Sequence, residues 1–180
     1  MTHLRTPAES ALYAAEADRH GYVPAYARVF ALAPQAYRAW IGLGAAVRGG
    51  MDERRYELVT VAAASAMGAR YCVLAHAAVL RDRHLGDTQL RAVLTDHHAA
   101  GLDETEVAVM DFAARIATDP SSASAEEIES LRGHGLSETD IFQVILVVCV
   151  RRFFAGALAA AGTVPDPELA PIAAVVAARP

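Results

Sequence analysis

Apolar residues recur along this chain at helical rather than strand spacing. After Asp52, the run ERRYELVTVAAASAM places Tyr56, Val59, Ala63, Ala66 and Met67 on one stripe. That spacing predicts a helix opening at Asp52 and ending at Gly68. The helix before it is predicted over about 34–48, closed by Gly49 and Gly50. A further helix begins near Arg70 or Tyr71 and continues to about His84, and another, TQLRAVLTDHH, follows Gly86 and Asp87. Three later starts carry capping signatures: Asp103 with Glu106, Ser124 with Glu127, and Ser137 with Asp140. The last of these opens a long apolar helix over about 138–161. Pro120, Gly133 and Gly135 punctuate the intervals. The tail TVPDPELAPI reads as irregular, with room for a short final helix. No alternating pattern of useful length appears, and no low-complexity linker divides the chain. The expectation is one all-α domain over 1–180, a helical bundle.

Composition narrows the function classes. At 180 residues and 54% hydrophobic, the chain can build a sizeable core, with apolar surface left over for an interface. A net charge of −5 argues against a nucleic-acid or anionic-membrane surface as the main business. All 16 basic residues are arginine, so Schiff-base chemistry on a lysine is excluded. The N-terminal MTHLRTPAES lacks the apolar core of a signal peptide, and the longest apolar run, Val144 to Val150, is too short to span a bilayer. Two cysteines make no disulfide framework. These features together predict a reduced, cytoplasmic protein.

The chemistry concentrates in GARYCVLAH, residues 68–76. Cys72 falls in the first turn of its helix, where free N–H groups and the helix dipole favour an anion. The thiolate is the reactive form of cysteine. His76, four residues on, shares that face and can take or return a proton. Glu57 lies fifteen positions before Cys72, beside Leu58 and Val59, where a carboxylate needs a partner. If the two helices pack antiparallel, Glu57 reaches His76 and orients its ring, giving a nucleophile, base and orienter. The same residues also admit a plain reading, a packed cysteine and a solvated carboxylate. Between the thiols, Cys72 is expected to be the more reactive and accessible, and Cys149, within VILVVCVRRFF, inert core. Tyr71 either supplies a hydroxyl to the pocket or packs as a half-buried helix-start aromatic. His97 and His98 read as a solvated helix end, and Arg151 and Arg152 as interface or snorkelling residues. No cluster has metal-ligand spacing and no Gly-rich phosphate loop is present, so neither metal nor cofactor is expected.

The stretch ELVTVAAASAMGARYCVLAHAAVLRD resembles the signature region, about 52–85, of the carboxymuconolactone decarboxylase superfamily, and within it the alkyl hydroperoxidase D-like, peroxidase-related branch. That branch shows a Glu followed by Cys-x-x-Cys-x-x-x-His. Glu57, Cys72 and His76 match without gaps. Similarity continues through AGLDETEVAVMDFAARIATDP, GLSETDIFQVILVV and PDPEL, from about Arg28 to Leu169. The first cysteine of the pair is replaced by Ala69, so the internal disulfide of the two-cysteine members cannot form. On a looser alignment, Ala155 and Gly156 stand where the branch carries Asn-Arg. The resemblance implies a thiol peroxidase working with Cys72 alone, a Glu57–His76 proton relay and an external thiol reductant. Its small-molecule substrate would be a peroxide or an aromatic-acid-type compound. It also admits a non-redox decarboxylase-like enzyme using His76 and Glu57, or a non-catalytic paralogue. Members are usually homo-oligomers, so a dimer, trimer or hexamer is expected.

Overall fold

The computed structural model describes residues 2–177. Its described residues form α-helices joined by short turns, with no strand among them. The order is α1 (Ala11–His20), α2 (Ala25–Phe30), α3 (Pro34–Gly49), α4 (Glu53–Ala66), α5 (Arg70–Leu80), α6 (Gly86–Thr95), α7 (Glu104–Thr118), α8 (Ala125–Gly133), α9 (Glu138–Ala160) and α10 (Ala170–Ala177). A π-helical turn, Arg81–Leu85, links α5 to α6, so the predicted run to His84 is continuous but rewound at its end. The tail is more ordered than expected, with a 3-10 turn at Pro167–Leu169 leading into α10.

The predicted starts form as capping boxes. Asp103, Ser124 and Ser137 each accept from the backbone N–H three residues on, and Glu106, Glu127 and Asp140 return the bond. Each satisfies donors that the first turn leaves without partners, worth about 1 kcal/mol apiece. Gly68 closes the α4 end with φ at +64°, a conformation that costs a residue with a Cβ.

At the centre lies α4, packed against α5, α7 and α9. Its residues from Tyr56 to Ala64 are buried without exception, while Ala66 is exposed. The one-sided stripe expected from the sequence is therefore too narrow: neighbours enclose the helix on all sides. Ala62, Ala63 and Ala64 make this possible, since small side chains let three helices approach one axis closely. A helix so enclosed carries Glu57 and Thr60 into the interior with it.

By length and composition α9 could cross a membrane, but half of its most apolar window is buried within the bundle. It packs on α3, α4, α7 and α8 as a core helix. Besides the main core, a smaller aromatic cluster gathers Phe30, Tyr37, Tyr71 and Phe154 around Cys72.

Candidate functional site

Two adjacent helices supply the predicted trio. Glu57 sits in the second turn of α4 and is 1% exposed. His76 sits on α5, and the two helices pack side by side. The His76 Nδ1 to Glu57 Oε2 distance is 2.5 Å. The second carboxylate oxygen accepts from Arg48 Nη2 at 3.2 Å, and the same guanidinium group donates to Glu53 at 2.8 Å. Arg48, from the end of α3, thus supplies the countercharge that a buried carboxylate requires.

The His76 pKa lies below the ordinary imidazole value. Burial is the largest cause, and the positive charge of Arg151 adds to it, against the opposing bond to Glu57. A neutral ring beside an ionised carboxylate holds its proton on Nδ1 and donates it to Glu57. That leaves Nε2 unprotonated, able to act as a base.

Cys72 lies in the first turn of α5, one turn before His76 on the same face. Both line a cavity of about 370 Å³, at the small end of the range for ligand pockets, about 300–1,000 Å³. Ala69 is the N-cap residue of α5 and contributes no side-chain capping bond.

The structure corrects the expected ranking of the thiols. Cys72 is buried, at 2% exposure, and Cys149 is the exposed one. Cys149 lies on the outward face of α9 with Phe142 and Phe153, a face that the continuous apolar run does not distinguish from the covered one. Cys72 lines the cavity, which is the opening the structure gives it.

Tyr71 takes both of its expected parts in altered form. Its ring lines the cavity, but its hydroxyl donates to the Asp166 carboxylate, which also accepts from the Ala25 N–H at 2.8 Å. Burial and that bond raise its pKa well beyond the phenol range. The hydroxyl therefore ties α5 to the tail, and the Asp166 carboxylate ties the tail to the start of α2.

Arg151 and Arg152 take different parts within the chain. Arg152 donates to the Ile116 and Ala117 carbonyls, closing the C-terminal end of α7. Arg151 points the other way, is 4% exposed and lines the cavity. Three further contributors escaped the sequence reading: Arg19, His20 and Tyr26, from α1 and α2. Beneath them Glu16, 1% exposed, accepts from the Tyr26 hydroxyl at 2.5 Å and meets Arg19 at 3.4 Å.

Far from this site, His97 and His98 are not simply solvated. Both ring nitrogens meet Asp111 Oδ1, at 2.8 and 3.0 Å. The three ligand-type atoms lie within 4.8 Å of one another. Sequence spacing could not show this grouping, because Asp111 comes from α7.

Comparison with known proteins bears on the site's origin. Residues 34–115 match the carboxymuconolactone decarboxylase family model. A comparison with curated proteins finds no match. Among solved structures, the alkylhydroperoxidase AhpD core, an uncharacterized peroxidase-related protein from Ralstonia eutropha JMP134, superposes with a TM-score of 0.82 at 22% identity, covering 93% of this chain and 94% of that one. An uncharacterized peroxidase-related protein from Silicibacter sp. TM1040 gives 0.78 at 22% identity, covering 93% of each chain. A cysteine-to-alanine form of the debrominase Bmp8, in complex with 2,3,4-tribromopyrrole, gives 0.81 at 17% identity, covering 98% of each chain. The overall fold is therefore that of the AhpD-core proteins. The segment 34–115 that matches the carboxymuconolactone decarboxylase family model is also the one that carries Glu57, Cys72 and His76.

Proposed function

We propose that this protein is a thiol-dependent oxidoreductase that reduces a peroxide at Cys72, using a Glu57–His76 proton relay. One observation carries the reading: Cys72 and the Glu57-bound His76 open onto the same small cavity, while position 69 holds alanine. The likeness in fold to two peroxidase-related proteins supports it.

In the first step His76 Nε2 takes the thiol proton, and the imidazolium is held by the Glu57 carboxylate. The thiolate attacks the terminal, hydroxyl-bearing oxygen of the peroxide. An S–O bond forms, the O–O bond breaks, and His76 returns its proton to the departing alkoxide. Cysteine sulfur is oxidised to a sulfenic acid and the peroxide is reduced to an alcohol. With Ala69 in place of a second thiol, an external thiol condenses with the sulfenic acid and releases water. A second equivalent then releases Cys72 as a thiol and leaves as a disulfide. Burial shields the sulfenic acid from other protein thiols, Cys149 among them.

The test is trapping with dimedone under peroxide, read by mass spectrometry, with Cys72→Ser as control. The expected result is one adduct at Cys72, and peroxide consumption limited to one equivalent per site until a small thiol is added. No adduct, together with no consumption in the presence of thiol, would refute the redox reading. The acid–base use of His76 and Glu57 would then stand in its place.

A further inference from the structure

Three arginines line the cavity, and they are not equivalent. Arg48 faces Glu53 and Glu57, and Arg19 faces Glu16. Arg151 forms no ion pair among the described residues, and its buried Nε–H has no hydrogen-bond partner. Its guanidinium carbon lies 5.9 Å from the centroid of the Phe154 ring.

An unpaired guanidinium group at 4% exposure is unusual, because buried charge is tolerated only when it is paired or used. Glu57 cannot neutralise it, being already bound to Arg48 and to His76. Arg151 is therefore the cavity's unpaired cation among the described residues. Around that charge the wall is aromatic. Trp40 stacks on Phe154 at 4.4 Å between centroids, and the Tyr26 ring meets Phe154 edge-on at 5.4 Å. Tyr56 faces the cavity from the His76 side. Trp40 is anchored by donating its indole N–H to the Val150 carbonyl, directly before Arg151.

We infer that Arg151 is the anion-recognition residue of this cavity, and that the site takes a small planar ring compound bearing one carboxylate. Resting on the function proposed above, the substrate is an organic hydroperoxide of that class. Its carboxylate meets the Arg151 fork, and its ring lies on the aromatic wall with the peroxide toward Cys72. A guanidinium group matches a carboxylate through two parallel N–H donors, and the planar body suits the flat faces around it. At about 370 Å³ the cavity has room for one such ring.

Trp40 is the chain's sole tryptophan and lines the cavity, so its emission reports occupancy. The probes are benzoate, neutral benzamide of the same shape, and non-planar cyclohexanecarboxylate. Benzoate is expected to change the emission saturably and to bind about tenfold or more tighter than benzamide, with cyclohexanecarboxylate several-fold weaker than benzoate. Arg151→Met should abolish the preference for charge, and Arg151→Lys should retain part of it. Cys72→Ser should leave the preference intact, so a failure of the thiol chemistry would not be confused with a failure here. Equal binding of benzoate and benzamide to the wild type would overturn the inference without any variant. So would a preference that survives in a folded Arg151→Met protein.

Discussion

Replacing Arg151 by methionine should make the protein more stable, although most buried substitutions do the opposite. The side chain is 4% exposed and its Nε–H has no partner. Leaving such a group unsatisfied costs about 1–3 kcal/mol, and more when it is charged. Against this stands the contact with Phe154, worth about 0.5–1 kcal/mol at exposed sites and about 2 when desolvated, and weakened here by lying at 5.9 Å, near the outer limit of a cation–π interaction. Methionine keeps an unbranched apolar stem of similar length, so the cavity term is small. The desolvation cost is the larger quantity, and the net gain is about 1–2 kcal/mol. For a domain of this size that raises Tm by roughly 2–8 °C. The measurement is a thermal melt in a buffer free of carboxylate and phosphate anions, which would otherwise fill the site and stabilise the wild type alone. Adding benzoate should narrow the gap by raising only the wild-type Tm. A variant that melts at or below the wild type in that buffer would mean that Arg151 is already compensated, and the unpaired-charge argument would fall.

The other expectations concern titration and assembly. Because the His76 pKa is lowered in the fold, the unfolded chain binds the proton more readily below about pH 6.5. Stability from this group is complete above that pH and is lost as pH falls toward the folded value, and denaturant titrations with His76→Gln should flatten this limb. By NMR, Glu57→Gln should move the His76 titration further down and Arg151→Met should move it up, since the first removes an attraction and the second a repulsion; shifts of the same sign would refute the arrangement of charges. On the outer face of α9, Phe142, Leu146, Cys149 and Phe153 form a stripe at spacings of four, three and four, joined by Leu43 of α3. A second copy is expected to cover it, so light scattering should give a multiple of 19.1 kDa, and Phe153→Glu should yield a monomer with maleimide-reactive Cys149; a wild-type monomer would refute this.

Much of the site was legible because its parts are local. The Cys72–His76 pair needs only one helical turn, and the capping boxes are written within four residues each. Glu57 was legible as a carboxylate stranded among apolar neighbours. What escaped depends on which face of a helix is covered. The run VILVVCV is apolar all round, so it could not tell exposed Cys149 from buried Val148. Similarly, the α4 stripe gave no sign that alanines would admit a third helix and bury the whole turn. The α1 and α2 contributions carry no motif and become visible only when distant segments meet, as Glu16 meets Tyr26.

Arg151 is the instructive omission, since its signal was present. The buried side of α9 runs Val144, Val147, Val148, Phe154, Ala155 and Leu158. Helical spacing from Val147 and Val148 to Phe154 and Ala155 passes through position 151, and places an arginine where every other member of the stripe is apolar. The adjacent Arg152 disguised it, because a pair of arginines ending an apolar run suggests a surface. The two side chains point about 100° apart on a helix, and only one can share a given face. A lone charge in register with a core stripe conflicts with the pattern around it, and such conflicts mark functional positions more often than errors of folding. Here the conflict falls beside His76, whose proton affinity Arg151 lowers. The same guanidinium group adds to burial in disfavouring the charged imidazole and leaves a positive charge for an anion to meet, two effects that a neutral side chain at this position could not combine.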